Sequence, residues 1–118
     1  MSNLNATLES AISSIDGATA AALVDYGSGM ALGMVGSGVN LEVAAAGNTD
    51  VVRAKMRTMQ SLGIDGNIED ILITLDTQYH IIYILENQLF LYLVLQKDRA
   101  NLALARYKLK ALGTALKV

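Results

Sequence analysis

The sequence contains no cysteine. That removes disulfide frameworks, thiolate nucleophiles and zinc–sulfur sites, and it suits a reducing compartment. It contains one histidine, His80, so no second imidazole exists to build a zinc site. A Ser-His-Asp triad would have to use His80, and no nucleophile-elbow pattern accompanies it. A strong charge of one sign is also missing. The formal net charge is −2, which gives little pull toward nucleic acid or anionic membrane. No apolar run is long. The uncharged stretch from Tyr26 to Leu41 is broken by Gly27, Gly29, Gly33, Gly36 and Gly38, too short and turn-rich to span a bilayer. Met1 to Leu4 lacks the basic region and apolar run of a secretion signal. These absences predict a soluble cytoplasmic chain with no membrane insertion, cofactor or metal.

What is present is apolar bulk. The chain has 118 residues, 53% of them hydrophobic and 17% charged, with a mean hydropathy of +0.38. The length predicts one domain over residues 1–118 with a core that needs no staples. The apolar content exceeds what a small soluble monomer needs. Two causes fit equally: an oligomer interface, or a sheet covered on both faces.

Periodicity supplies the elements. Leu4, Leu8, Ala11, Ile12 and Ile15 recur at helical spacing, with Ser2 or Asn3 as the cap and Asp16-Gly17 as the stop. Ala20 to Asp25 reads as a buried strand of small residues. Met30 to Val35 follows across Tyr26-Gly27-Ser28-Gly29 as the second arm of a hairpin. Asn40 to Leu62 reads as a long helix. Three apolar runs come next, Ile68 to Asp76, Tyr79 to Glu86 and Leu89 to Gln96, spaced as an antiparallel meander. The second and third are apolar on both faces, so both faces should be covered. The first carries Glu69, Asp70, Thr74 and Asp76, which suits a strand nearer an edge. Asp98 is the predicted cap of a last helix with Leu102, Ala105, Leu109, Leu112 and Leu116 on one side. The order is α-β-β-α-β-β-β-α, an α/β chain of the α+β type.

The long helix has more than one face. At about 100° per residue, Leu41, Ala45, Val52, Met56 and Met59 form a stripe of large residues suited to a sheet. Ala44, Gly47, Val51, Ala54 and Thr58 form a second stripe of small ones, suited to close approach by another backbone. Asn48 and Lys55 sit between the two. Arg53 and Arg57 lie one turn apart on the polar side. They read either as groups that steady phosphoryl-transfer charge in a partner GTPase or as a solvated face in loose pairs with Asp50.

Other chemistry-bearing groups have plain readings. His80 lies on an apolar strand face and reads as a packed or surface residue. The glycines from Tyr26 to Gly38 lack the Gly-Lys-Ser/Thr ending of a phosphate loop and read as turns. Asp65, Asn67, Glu69 and Asp70 depart from calcium-loop spacing and read as a polar turn. Met30, Met34, Met56 and Met59 read as core or interface filler. The basic last helix lacks the interleaved aromatics of a nucleic-acid surface.

Four phrases in order carry a family resemblance. They are Ile15-Asp16-Gly17-Ala18 through Leu23-Val24-Asp25, Gly29-Met30-Ala31-Leu32-Gly33, Gly66-Asn67-Ile68-Glu69-Asp70-Ile71-Leu72-Ile73, and Asp98-Arg99-Ala100-Asn101-Leu102 with Arg106-Tyr107. Over nearly its whole length the chain resembles the Roadblock / dynein light chain family, found in bacteria as Mgl-type partners of Ras-like GTPases. The resemblance implies a five-stranded antiparallel sheet, the long helix on one face and the terminal helices on the other. It implies a homodimer in which the long helices pack together through Ala44, Gly47, Val51, Ala54 and Thr58. The third strands, with Ile71 and Ile73, would extend the sheet across the two-fold axis. It implies a non-enzymatic adaptor or regulator of a Ras-like small GTPase, in some members within a GTPase-activating complex; on the reading of their spacing given above, Arg53 and Arg57 are the candidate partner-binding residues. The alternative expectation is a sensor domain that holds a small ligand against the Ala20–Ala22 strand. A stand-alone enzyme, dependent on His80 or the Asp65–Asp70 cluster, is the least favoured.

Overall fold

The computed structural model describes residues 2–117. Its elements run α1 (Leu4–Ser14), β1 (Ala18–Asp25), β2 (Met30–Gly36), α2 (Leu41–Leu62), β3 (Asp70–Thr74), β4 (Gln78–Ile84), β5 (Leu89–Gln96) and α3 (Leu102–Ala115). The five strands make one antiparallel sheet in the order β2-β1-β5-β4-β3. β1 and β5 are central, and every residue from Ala20 to Val24 and from Leu89 to Leu95 is buried. The polar run that contains β3 lies at an edge, as its charges predict. Its ladder covers only Asp70–Thr74, shorter than the run Ile68 to Asp76.

Helices cover both faces. α1 packs on β1 and β2, and α3 on β4. Under them lies one core of Leu8, Ala11, Ile15, Leu23, Leu93 and Leu109 among others. α2 covers the opposite face over β1 and β2, with Leu41, Ala45 and Val52 set against Ala20, Ala22, Phe90 and Tyr92. The alanine strand is therefore a seat for helices. Ala20 and Ala22 are fully buried under α2, and Ala21 belongs to the α1 side. No room for a ligand is left over them. None of the helices among the described residues is long and apolar enough to cross a membrane.

The helix ends show which polar residues act as caps. Asn40 caps α2 by accepting from the Val43 N–H at 3.1 Å, as expected. α3 starts later than expected. Its cap is Asn101, which accepts from the Leu104 N–H at 3.0 Å, and not Asp98. Asp98 lies in a turn after β5, closed by the Arg99 N–H on the Gln96 carbonyl. Asn3 stands at the start of α1 without capping it. Its side chain instead bonds the Ala115 carbonyl and the Lys117 N–H, which ties the start of α1 to the end of α3.

Two methionines differ from expectation. Met30 and Met34 are 65% and 44% exposed, so of the two roles expected of them, core or interface filler, the core one does not hold. β2 is an edge strand with a register shift opposite Leu23/Val24. Met56 and Met59 are half-buried.

Candidate functional site

α2 has two flanks, and the structure fixes where each points. On one flank Thr49 and Ala46 lie nearest to Gly29, and Arg53 Nη2 donates to the Gly27 carbonyl. This flank faces the β1–β2 turn. On the other, Asn48 reaches the Tyr92 hydroxyl on β5. Residues three and four apart share a helix face, so Ala44, Asn48, Val51 and Lys55 all lie toward β5, β4 and β3. The small-residue stripe lies along this second flank and the outer surface. Ala44 is half-buried, whereas Gly47, Val51, Ala54 and Thr58 are exposed. A side-chain carbon added at Gly47 would meet nothing within 4 Å. The Thr58 hydroxyl donates to the Ala54 carbonyl at 2.9 Å, so the stripe presents no unmet polar group.

Beside that flank the sheet is only partly covered. α2 sits over β1 and β2, so the same face of β4 and β3 forms a shelf. Ile71 stands opposite Ile82, and Ile73 opposite His80. Both isoleucines point to the α2 side, and both are half-buried, as are His80 and Ile84. The outer edge of β3 has no strand beside it. Stripe, shelf and strand edge are therefore contiguous, and all three are open in a single chain. Leu72 points the other way, toward α3. So does Asp70, which accepts from Arg106 Nε at 2.7 Å and Nη2 at 3.0 Å. Lys110 pairs with Glu69 at 3.5 Å. Two of the clustered acidic residues thus hold β3 to α3, and the cluster is not a cation loop.

No protein-family model matches the sequence, and no curated protein matches it. Solved structures do match in backbone. A Roadblock/LC7 domain from Streptomyces avermitilis aligns with a TM-score of 0.85 at 14% identity, over 95% of this chain and 92% of that one. MglB of Myxococcus xanthus aligns with a TM-score of 0.80 at 16% identity, over 95% and 89% of the two chains. An MglB with tetrameric arrangement gives 0.85 at 18% identity, over 97% and 85%. The chain has the Roadblock/LC7 fold.

Within this Roadblock/LC7 fold, one feature of the shelf escaped the sequence reading. His80 and Tyr92 are diagonal neighbours on β4 and β5, because His80 stands opposite Val94 and Ile82 opposite Tyr92. Tyr92 Oη lies 2.9 Å from His80 Nδ1, and His80 Nε2 lies 2.9 Å from Gln78 Oε1. A neutral ring protonated at Nε2 donates to Gln78 and accepts from Tyr92. Asn48 of α2 stands beside the Tyr92 hydroxyl. Its place between the two stripes of α2 was the only signal of it in the sequence.

Burial holds His80 below its ordinary pKa of 6.5. As the pH falls, the unfolded chain therefore takes up the proton first. The neutral His80 site contributes fully above pH 6.5, and its contribution drains away as the pH drops through the lowered folded value. The melting temperature should fall on going from about pH 7.5 to about pH 5.5, and His80→Gln should flatten that slope. An equal slope in the variant would show that another group titrates.

Proposed function

We propose that residues 1–118 form a single Roadblock-like domain that acts in the cytoplasm as a non-enzymatic homodimer. In this reading it is an adaptor or regulator that binds a Ras-like small GTPase. The observation that carries the dimer is the contiguous open surface of α2 stripe, sheet shelf and β3 edge. A two-fold axis beside α2 sets the second copy's α2 antiparallel against Ala44, Gly47, Val51, Ala54 and Thr58. That copy's helix then covers the shelf, and its β3 pairs alongside Ile71 and Ile73. One operation satisfies all three features, including the unpaired strand edge that would otherwise invite aggregation. The excess of apolar residues then has both of its causes, a sheet covered on two faces and an interface.

The GTPase half of the reading rests on the resemblance of the four sequence phrases and on the likeness to MglB in backbone. Arg53 and Arg57 are the residues we assign to the partner, since they stand exposed on the flank that the dimer leaves free. Tagged protein added to native cell extract should retain a Ras-like GTPase, with a clear preference between GTP-analogue and GDP loading. Arg57→Glu should reduce the retained amount at unchanged dimer mass. Recovery of no GTPase under either nucleotide would reject the partner while leaving the dimer to be judged by its mass.

A further inference from the structure

The flank of α2 that faces away from the small stripe borders a cleft of about 470 Å³. We propose that this cleft receives an acidic peptide segment with an apolar anchor side chain, supplied by a partner protein. The inference rests on the reading of Arg53 and Arg57 as partner-facing. It does not rest on the partner being a GTPase or on the dimer.

Charge complementarity carries the argument. Arg53 and Arg57 are the only charged residues that line the cleft among the described residues, in a chain whose net charge is negative. Arg53 is fixed in place by the Gly27 carbonyl. Arg57, one turn further on, has no hydrogen-bond or ion-pair partner among the described residues and is exposed. The rest of the lining is mixed, with Tyr26, Met56, Met59 and Ile64 as its large apolar members beside Gln60, Asn67 and Gln88. The methionines are flexible and polarizable, and they adapt to anchors of differing shape.

The wall of the cleft is built in advance. The Tyr26 N–H donates to the Gln88 carbonyl at 2.8 Å, which joins the β1–β2 and β4–β5 links. Gln88 and Asn87 both hold φ at 61°, a left-handed conformation that non-glycine residues rarely keep without support from their surroundings. The Gln88 amide lies against Gly27, so close that a side-chain carbon there would stand 2.7 Å from Oε1. A wall ordered before binding lowers the entropic cost of receiving a ligand.

The same geometry disfavours a phosphate ligand. A phosphate site draws on the free N–H groups of a helix N-terminus, whereas Met59 and Gln60 belong to the C-terminal end of α2. No helix N-terminus opens on the cleft. Carboxylates at the arginine rim with an apolar side chain below them match both the charge and the lining.

The test uses the full chain and two synthetic peptides labelled with fluorescein, read by anisotropy at low salt. One is Glu-Asp-Leu-Phe-Asp-Glu and the other its neutral counterpart Gln-Asn-Leu-Phe-Asn-Gln. Saturable binding of the acidic peptide is expected, at least about fivefold tighter than the neutral one and weakened by salt. Arg57→Glu should weaken it by about tenfold or more, with an unchanged melting temperature because Arg57 is exposed. Equal affinities for the two peptides would overturn the proposal. So would an Arg57→Glu protein that binds as well as the unaltered chain, no saturable binding, or displacement by pyrophosphate but not by unlabelled acidic peptide. Since neither peptide involves a GTPase or the dimer face, a negative here leaves those readings untouched, and their failure leaves this one standing.

Discussion

Light scattering of the unaltered chain should give twice 12.5 kDa, and Val51→Glu or Ala54→Glu should return it to 12.5 kDa. Both side chains lie on the outer stripe of α2, and Val51 is 39% exposed in the single chain. A glutamate at either position is therefore harmless to the isolated fold, where exposed substitutions cost little. At a two-fold contact it is not. The symmetry places one carboxylate from each copy in the same desolvated seam, and an uncompensated buried charge costs about 3–5 kcal/mol. That is at least a hundredfold in dissociation constant for one such charge, by the rule that 1.4 kcal/mol is tenfold. The two copies bring two.

Gly47 gives the same surface an independent reading with opposite signs. It sits inside α2, where glycine is about 1 kcal/mol worse than alanine, and among the described residues nothing outside its own turn of helix stands within 4 Å of an added carbon. Gly47→Ala should stabilise the isolated fold and loosen the dimer, because the new methyl holds the helices apart. A strictly monomeric unaltered chain would end the dimer reading. Glutamate variants of unchanged mass would move the contact to another face.

The elements were legible because each follows a local rule. The two-residue alternation of β4 and β5, apolar on both faces, required cover above and below; β5 is buried on both faces, whereas β4 is covered by α3 on one face and only in part on the other. The Asn40 cap and the Gly63 end of α2 follow from residue type at the end of a periodic run. What was illegible depends on distance across the chain. Asp98 and Asn101 are both short and polar. Only the turn that closes β5 decides between them, by spending residues 97–100 before the helix can start. Met30 and Met34 read as core or interface residues, and only the structure, with β2 at an edge and both side chains exposed, removes the core role. Arg53 could be placed on a helix face, but its bond to Gly27 spans 26 positions. The His80–Tyr92 pair exists only through the register of β4 on β5. For the candidate surface, sequence spacing picked out the small-residue stripe. That the stripe adjoins a half-covered sheet required knowing that α2 sits to one side, over β1 and β2.

Gly36→Ala should lower the melting temperature by about 10 °C or more, and Gly38→Ala by much less. Both glycines have a positive φ, +92° and +96°, so both substitutions carry strain of about 1–2 kcal/mol. They differ in surroundings. A carbon on Gly38 meets nothing within 4 Å, whereas one on Gly36 collides with the Thr19 carbonyl and lies 2.7 Å from Ala20 Cα. Both of those are backbone atoms of β1 and have no rotamer by which to move aside. β1 cannot retreat either. Ala20 is fully buried and stands opposite Gly36 on one side and Val94 on the other. The collision must therefore open the β1–β2 ladder at the point where the chain leaves the sheet for α2, disturbing the Ser37 N–H bond to the Thr19 carbonyl. A total cost of about 3 kcal/mol is a large share of the 5–15 kcal/mol that holds a domain together. The opening also displaces the seat of α2, so Gly36→Ala should weaken the dimer even though the residue lies outside the stripe. If Gly36→Ala melts within a few degrees of Gly38→Ala, β2 does not approach β1 this closely. The placement of α2, and the open shelf beside it, would then need revision.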